Sequence, residues 1–198
     1  MRNFLRIAQN MEVMPLLMEI TRNQDWWHAD DYLRSYPQGP FQQVDSIILR
    51  FPPRTVHETE EAVKAHLQDP RYDPHECVDQ PIYSQIPVAR MLVMRVFSYV
   101  GGTRLGRVMI NRIKPGGRIF KHADTLEHAL YWQRHHVVLK SSPGVVFEAG
   151  DESVYMASGD VWWFNNGKPD KDGNRPEHQV INNSADDRIH LILDCKIP

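Results

Sequence analysis

The sequence predicts a mainly β protein with flanking helices, closed as a small β-barrel or jelly roll. From Leu105 onward the periodicity is strand-like, and turn signals break it at Gly116-Gly117, Pro143-Gly144, Gly150-Asp151 and Ser158-Gly159. Short strands at that spacing suit an architecture that pairs or removes sheet edges. The helix candidates lie earlier in the chain. With 198 residues and 41% hydrophobic content, one domain can bury an adequate core. The expected plan is a single domain, with residues 1–104 as an N-terminal arm and helical support and residues 105–198 as the β core.

Residues 1 to 44 are a patchwork that includes Trp26-Trp27 and the turn-rich Tyr36-Pro37-Gln38-Gly39-Pro40, which reads as a cover or packing arm. Asp45 to Phe51 is a strand that stops at Pro52-Pro53. A helix follows over 56–68, with Thr55 or Thr59 as its cap, acidic residues early, Lys64 and His66 late, and Pro70 beyond its end. Arg71 to Pro81 reads as a loop. A second helix is expected from Ser84 to Val100, with Ile86, Ala89, Leu92, Val93 and Val96 as its apolar stripe and Gly101-Gly102 closing it. Met91 and Met94 read as core filler. The polar stretch from Asn165 to Arg175 is either a lid or an ordinary exposed hairpin loop.

Composition excludes several classes. A formal net charge of -2 opposes a nucleic-acid platform driven by counterion release. The local basic run of Arg104, Arg107, Arg112, Lys114, Arg118 and Lys121 alternates with apolar residues and reads as a solvated strand face. Cys77 and Cys195 are too few for a disulfide framework, lack metal-binding spacing and suit a reducing compartment. The N-terminal apolar stretch is interrupted by Gln9, Asn10, Glu12 and Pro15, and no run of about 18 apolar residues occurs. A cytoplasmic protein without a membrane span is the expectation, its partner a small-molecule or peptidyl substrate.

The chemistry concentrates at His122-Ala123-Asp124 and the distant His178. On an extended strand, residues i and i+2 share a face, so His122 and Asp124 reach one metal while Ala123 turns away. Two imidazoles and one carboxylate occupy one face of an octahedron and leave positions open for a bidentate co-substrate and O2, the pattern of a non-haem Fe(II) oxygenase. By itself a His-x-Asp triplet often marks no more than a solvated turn. Its surroundings add weight, because Arg134 lies twelve residues beyond His122 and Arg188 ten beyond His178. A guanidinium fork matches a carboxylate bidentately. Alternation puts Arg134, His136 and Val138 on one strand face. Ile189, Leu191 and Leu193 form an apolar face that leaves Arg188 projecting from the other, toward a barrel interior. The plainer reading of either arginine is a surface charge in a salt bridge.

Further matches extend from Gly106 to Asp194, roughly the C-terminal half. They comprise Pro115-Gly116-Gly117, His122-Ala123-Asp124, Arg134-His135-His136, Pro143-Gly144, Gly159-Asp160 before Trp162-Trp163, Glu177-His178 through Asn182, and Arg188 to Asp194. In these residues the chain resembles the aspartyl/asparaginyl β-hydroxylase-like family of Fe(II)/2-oxoglutarate dioxygenases, which includes proline and lipid A hydroxylases. The resemblance implies a double-stranded β-helix, the cupin-like jelly roll, with His122, Asp124 and His178 as iron ligands. It implies that Arg188 pairs with the distal carboxylate of 2-oxoglutarate and that Arg134 and His136 belong to the same co-substrate site. Vertebrate aspartyl hydroxylases replace the acidic ligand with glycine; this chain keeps Asp124, like the proline-hydroxylase and lipid A branches.

The implied reaction hydroxylates an unactivated C–H bond, of an amino acid or peptidyl residue by the same resemblance, using O2 and releasing succinate and CO2. It needs no catalytic acid or base beyond the metal centre. His190 is expected on the inward face with Arg188, His128 and His135 as structural or exposed residues, and Trp162 and Trp163 as core and wall. Two alternatives differ in kind: a cupin-like metal-dependent isomerase or epoxidase, and a non-catalytic metal-binding module on the same barrel.

Overall fold

A computed structural model describes residues 3–54 and 59–198. In chain order the elements are β1 (Phe4–Ala8), α1 (Met14–Arg22), a 3-10 turn over Gln24–His28, α2 (Tyr32–Ser35), β2 (Asp45–Phe51), α3 (Glu60–Gln68), β3 (Val78–Asp79), α4 (Pro81–Gln85) and α5 (Pro87–Tyr99). The second half contains β4 (Arg104–Ile113), β5 (Arg118–His122), α6 (Leu126–Tyr131), β6 (Gln133–Lys140), β7 (Val145–Ala149), β8 (Glu152–Val154), β9 (Val161–Phe164), β10 (His178–Asn182) and β11 (Arg188–Lys196).

These strands form a seven-stranded sheet, β1-β9-β6-β11-β4-β2-β3, and a four-stranded sheet, β5-β10-β7-β8, antiparallel throughout. Phe4, Ile113, Val138, Trp162 and Phe164 of the large sheet meet Ile119, Val145, Phe147, Ala149, Val154 and Val180 of the small one in a single apolar layer. This is the jelly-roll double-stranded β-helix. The alternate residues of the large sheet, among them Ile47, Leu49, Val108, Ile110, Val137, Leu139, Leu191 and Leu193, face outward into a second core shared with α1, α4 and α5. With both faces covered, β4, β6 and β11 are buried along most of their length, their polar residues included.

Several elements differ from the sequence expectation. The segment before residue 104 supplies β1, β2 and β3 to the large sheet, so it is part of the barrel and not only an arm and support. Pro87 divides the single helix expected over 84–100: Ile86 adopts φ -122 and ψ 68, leaving α4 and α5 on either side of it. All five residues of the expected stripe are buried, and α5 ends in a Schellman cap, in which Gly102 N–H donates to the Phe97 carbonyl and Gly101 adopts φ 69. Met91 and Met94, read as core filler, are 72% and 43% exposed because they lie off that stripe. Thr59 caps α3 by accepting from the Ala62 N–H, while Thr55 lies outside the described residues. Arg112 of the basic run is buried against Trp27 and bonds Asp45 through two nitrogens, so that run is not one solvated face. No helix among the described residues is long and apolar enough to cross a membrane.

Leu193 is wholly buried on the helix-facing side of the large sheet. Leu193→Ala is expected to lower the unfolding free energy by about 2–5 kcal/mol. Urea denaturation measures it, and a much smaller loss would mean that this face is not closely packed.

Candidate metal centre

The small sheet brings the separated motif residues together. In the β10–β5 register His178 lies opposite His122, with ring centroids 4.2 Å apart. Asp124 follows β5 directly, and one donor atom from each of His122, Asp124 and His178 lies within 4.8 Å of the others. Nδ1 of His122 is 2.8 Å from the Phe120 carbonyl, to which its N–H donates. That bond fixes the tautomer and presents a bare Nε2 lone pair, which is buried and has no partner. Nε2 is 3.6 Å from Oδ1 of Asp124.

Asp124 is held through its other oxygen. Oδ2 accepts from Nη1 of Arg134 at 2.5 Å and from Nδ2 of Asn166 at 2.9 Å, leaving Oδ1 toward the histidines. Burial raises its pKa, but the Arg134 charge, the neighbouring His122 and His178 rings and the Asn166 bond outweigh burial and hold the carboxyl well below its usual range. Burial lowers His178 to about 3, so its imidazole is neutral near pH 7 and able to coordinate. The donor set therefore fits a divalent metal: two imidazoles and an ionised carboxylate.

Arg134 does not stand free as an anion receptor. Its Nε and Nη2 donate to both oxygens of Asp194, at 2.8 and 3.1 Å, while Nη2 lies 3.0 Å from Nε2 of His128. Its guanidinium thus lies between Asp124 and Asp194. His128, expected to be structural or exposed, is buried and also reaches Asp194 at 3.0 Å.

A second polar cluster lies deeper between the sheets. Arg188 is 0% exposed, and its guanidinium lies 5.8 Å from the Phe147 ring. Its Nη2 is 2.8 Å from Nδ1 of His190, while Nε and Nη1 have no partner. Burial alone lowers this arginine to about 9. His136 and His190 approach through their Nδ1 atoms at 3.3 Å, and both Nε2 atoms are unpartnered. Asn111, opposite His190 in the register, accepts from the Ser46 hydroxyl and leaves its buried Nδ2 unpaired. Sequence periodicity puts His190 and Asp194 on the same face of β11 as Arg188, and groups His136 with Arg134 on β6. It gives no signal for the roles of Asn111, Asn166 and Asp194, which depend on cross-strand and loop contacts.

The loop from Asn165 to Arg175 is fastened at both ends to Asp124. The Asn166 carbonyl accepts from the Asp124 N–H at 3.2 Å, and Arg175 donates to the Asp124 carbonyl and, at 2.9 Å, to that of Gly167. Neither anchor is visible as a motif. Two large surface clefts, between α3 and residues 69–76 and beneath residues 168–176, lie outside both polar clusters. The centre is marked by its chemistry and not by cleft size.

Fold and centre together define a double-stranded β-helix protein with a two-histidine, one-carboxylate cluster. The family model for aspartyl/asparaginyl β-hydroxylase matches residues 78–198. The chain belongs to that family and is an enzyme of the hydroxylase type. A prolyl-4-hydroxylase from Pseudomonas putida is 12% identical, aligned over 99% of this chain and 93% of its own, with a TM-score of 0.51, a likeness of fold. A 2OG-Fe(II) oxygenase family oxidoreductase from Burkholderia pseudomallei is 13% identical over 98% of this chain and 84% of its own, at a TM-score of 0.48. A cupin domain from Bordetella pertussis is 21% identical over 48% and 84%, at 0.35. No curated protein sequence matches.

The buried histidines give a pH dependence. Burial lowers His135 to about 4 and His178 to about 3, and holds His136 and His190 well below the ordinary range. Unfolded, each titrates near about pH 6.5. Between those values the unfolded chain binds more protons, so stability rises with pH there and falls on acidification from about 6.5 toward 4. His135→Gln should reduce that slope by up to about 1.4 kcal/mol per pH unit. Urea unfolding at a series of pH values tests this, and an unchanged slope would mean that folded His135 is already protonated.

Proposed function

We propose that the enzyme is an Fe(II)- and 2-oxoglutarate-dependent hydroxylase acting on an unactivated C–H bond of an amino acid or peptidyl residue. The single observation that carries this reading is Arg188. A fully buried guanidinium with no carboxylate partner and two unsatisfied nitrogens needs an anion delivered from outside the chain. The distal carboxylate of 2-oxoglutarate fits that need, whereas a cupin-like isomerase or epoxidase working without 2-oxoglutarate would leave Arg188 without this partner. His136 and His190 offer further polar atoms beside it.

In this reading His122, Asp124 and His178 hold the iron. When bound, iron and 2-oxoglutarate supply activation of O2 and oxidation of the C–H bond, with succinate and CO2 leaving as co-products. The Phe120 carbonyl keeps the His122 lone pair directed inward. Arg134 and Asn166 restrain one carboxylate oxygen so that Asp124 offers the other. Phe147 and Phe164, packed at 4.7 Å beside His136 and His178, exclude water from the interior.

Anaerobic titration with Fe(II) and 2-oxoglutarate should develop a visible metal-to-ligand charge-transfer band that is absent in His122→Ala. Bound iron without the band would favour the cupin-like alternative. Arg188→Met should raise the half-saturating 2-oxoglutarate concentration by about ten- to a hundredfold, the loss expected for charged hydrogen bonds. If that variant bound 2-oxoglutarate normally and only melted earlier, Arg188 would be structural.

A further inference from the structure

The loop from Asn165 to Arg175 carries the chain from β9 of the large sheet to His178, the first residue of β10 in the small one. It therefore ends just before one candidate ligand, and it holds another through hydrogen bonds. Asp124 lies two residues past the end of β5, beyond the register that aligns His122 with His178. Its backbone is held by the loop instead. The Asp124 N–H donates to the Asn166 carbonyl at 3.2 Å, and the Asp124 carbonyl accepts from Nη2 of Arg175. The Asn166 side chain, 2% exposed, donates to Oδ2 of the same residue at 2.9 Å. Loop contacts thus reach Asp124 at its amide, its carbonyl and its carboxylate.

Arg175 closes this clasp. Its Nε donates to the Gly167 carbonyl at 2.9 Å while Nη2 reaches Asp124, so one guanidinium ties the far end of the loop to its beginning and to the ligand segment. Gly167 is the point of closest approach. It adopts φ 132, and a Cβ there would lie 3.2 Å from Nη2 of Arg175 and 3.4 Å from the Asp124 carbonyl oxygen, so the position favours glycine on both counts. The start of the loop is pinned as well: Asn165 donates through Nδ2 to Oδ1 of Asn3 at 3.2 Å and accepts through Oδ1 from the Lys168 N–H at 2.8 Å. Asn166 and Gly167, the buried residues of the loop, are those beside Asp124, whereas the tip over residues 170–174 is exposed.

We infer that Arg175 is a positioning residue of the metal centre: it clasps the loop onto the backbone of Asp124 and so sets where that carboxylate stands relative to His122 and His178. This rests on the reading that those three residues hold a divalent metal. A ligand beyond a strand end keeps backbone freedom that side-chain bonds alone do not remove, and outer partners of this kind govern metal affinity. The coupling is reciprocal: by whatever factor the closed loop favours the metal, bound metal favours the closed loop. Charge alone gives the opposite expectation, because taking a cation away from the centre would tighten the binding of a divalent metal. The two effects are therefore separated by sign.

The test is titration of the metal-free full-length protein with Co(II), followed by its visible d–d bands, together with hydrogen exchange over residues 165–175 with and without Co(II). Arg175→Met should weaken Co(II) binding by about tenfold, and Arg175→Lys should recover part of the loss. Lys171→Met, at the exposed tip, should bind as the wild type does. Saturating Co(II) should slow exchange in the wild-type loop by about the same factor, and that slowing should vanish in Arg175→Met. Equal or tighter Co(II) binding by Arg175→Met, or a wild-type loop whose exchange ignores Co(II), overturns the assignment. His122→Ala separates this failure from that of the metal reading. If His122→Ala loses Co(II) and Arg175→Met does not, only the clasp is wrong; if His122→Ala binds Co(II) as the wild type does, the metal reading falls and the clasp with it.

Discussion

The buried guanidinium of Arg134 is the tie on which the centre depends. It joins Asp194 of β11, in the large sheet, to Asp124 at the end of β5, in the small one, and so fixes the distance between sheets at the point where the candidate ligands meet. Removing one partner from such a buried set costs about 3–5 kcal/mol because the remaining charge is left unpaired. Two carboxylates share this one arginine, with His128 beside Asp194. A divalent cation beside Asp124 would give that carboxylate a second positive partner, so the ion network and the donor geometry support the same reading.

The two faces of the large sheet divide the work. Outward residues of β4, β6 and β11 are mainly aliphatic, with Arg112 and His135 among them, and the aliphatic ones pack on α1, α4 and α5. Inward residues of the same strands alternate polar with apolar: Arg134, His136 and Val138 on β6, and Arg188, His190, Ile192 and Asp194 on β11. Each strand therefore contributes a stabilising face and a chemical one, and the register of β11 between β4 and β6 aligns the chemical faces. A slip of one residue would exchange the two sets.

How much of this was readable depended on the range of the interaction. Strand alternation grouped His136 with Arg134 and turned Arg188 toward a barrel interior, because period two is a local property, but it left a surface salt bridge open for both arginines, and the site role of His136 came from the family resemblance. The helix boundary at Ile86 was also locally encoded, in Pro87, and the expected single helix ignored it. Sequence could not show that Phe4 to Ala8 completes the large sheet beside β9, since a short edge strand carries little periodic signal and its partner lies far along the chain. For the same reason α6, six residues between two strands, was not visible within a strand-like run. Arg134 was recognised as a functional cation, but its engagement with Asp194 is a cross-strand fact that no spacing rule contains.

The distribution of unsatisfied groups gives the last step. Among the described residues, the inward-facing polar atoms without partners include Arg188 Nε and Nη1, the Nε2 atoms of His122, His136 and His190, and Asn111 Nδ2. Each such buried group costs about 1–3 kcal/mol when left unpaired, more if charged. Concentrated between the two sheets, they form a destabilised interior that an apolar sandwich of the same size would not tolerate without compensation. The outward core and the Arg134 network offset that burden in the ligand-free chain. Ligands that satisfy these atoms must then stabilise the fold as they bind, so that occupancy and stability are two readings of one interaction.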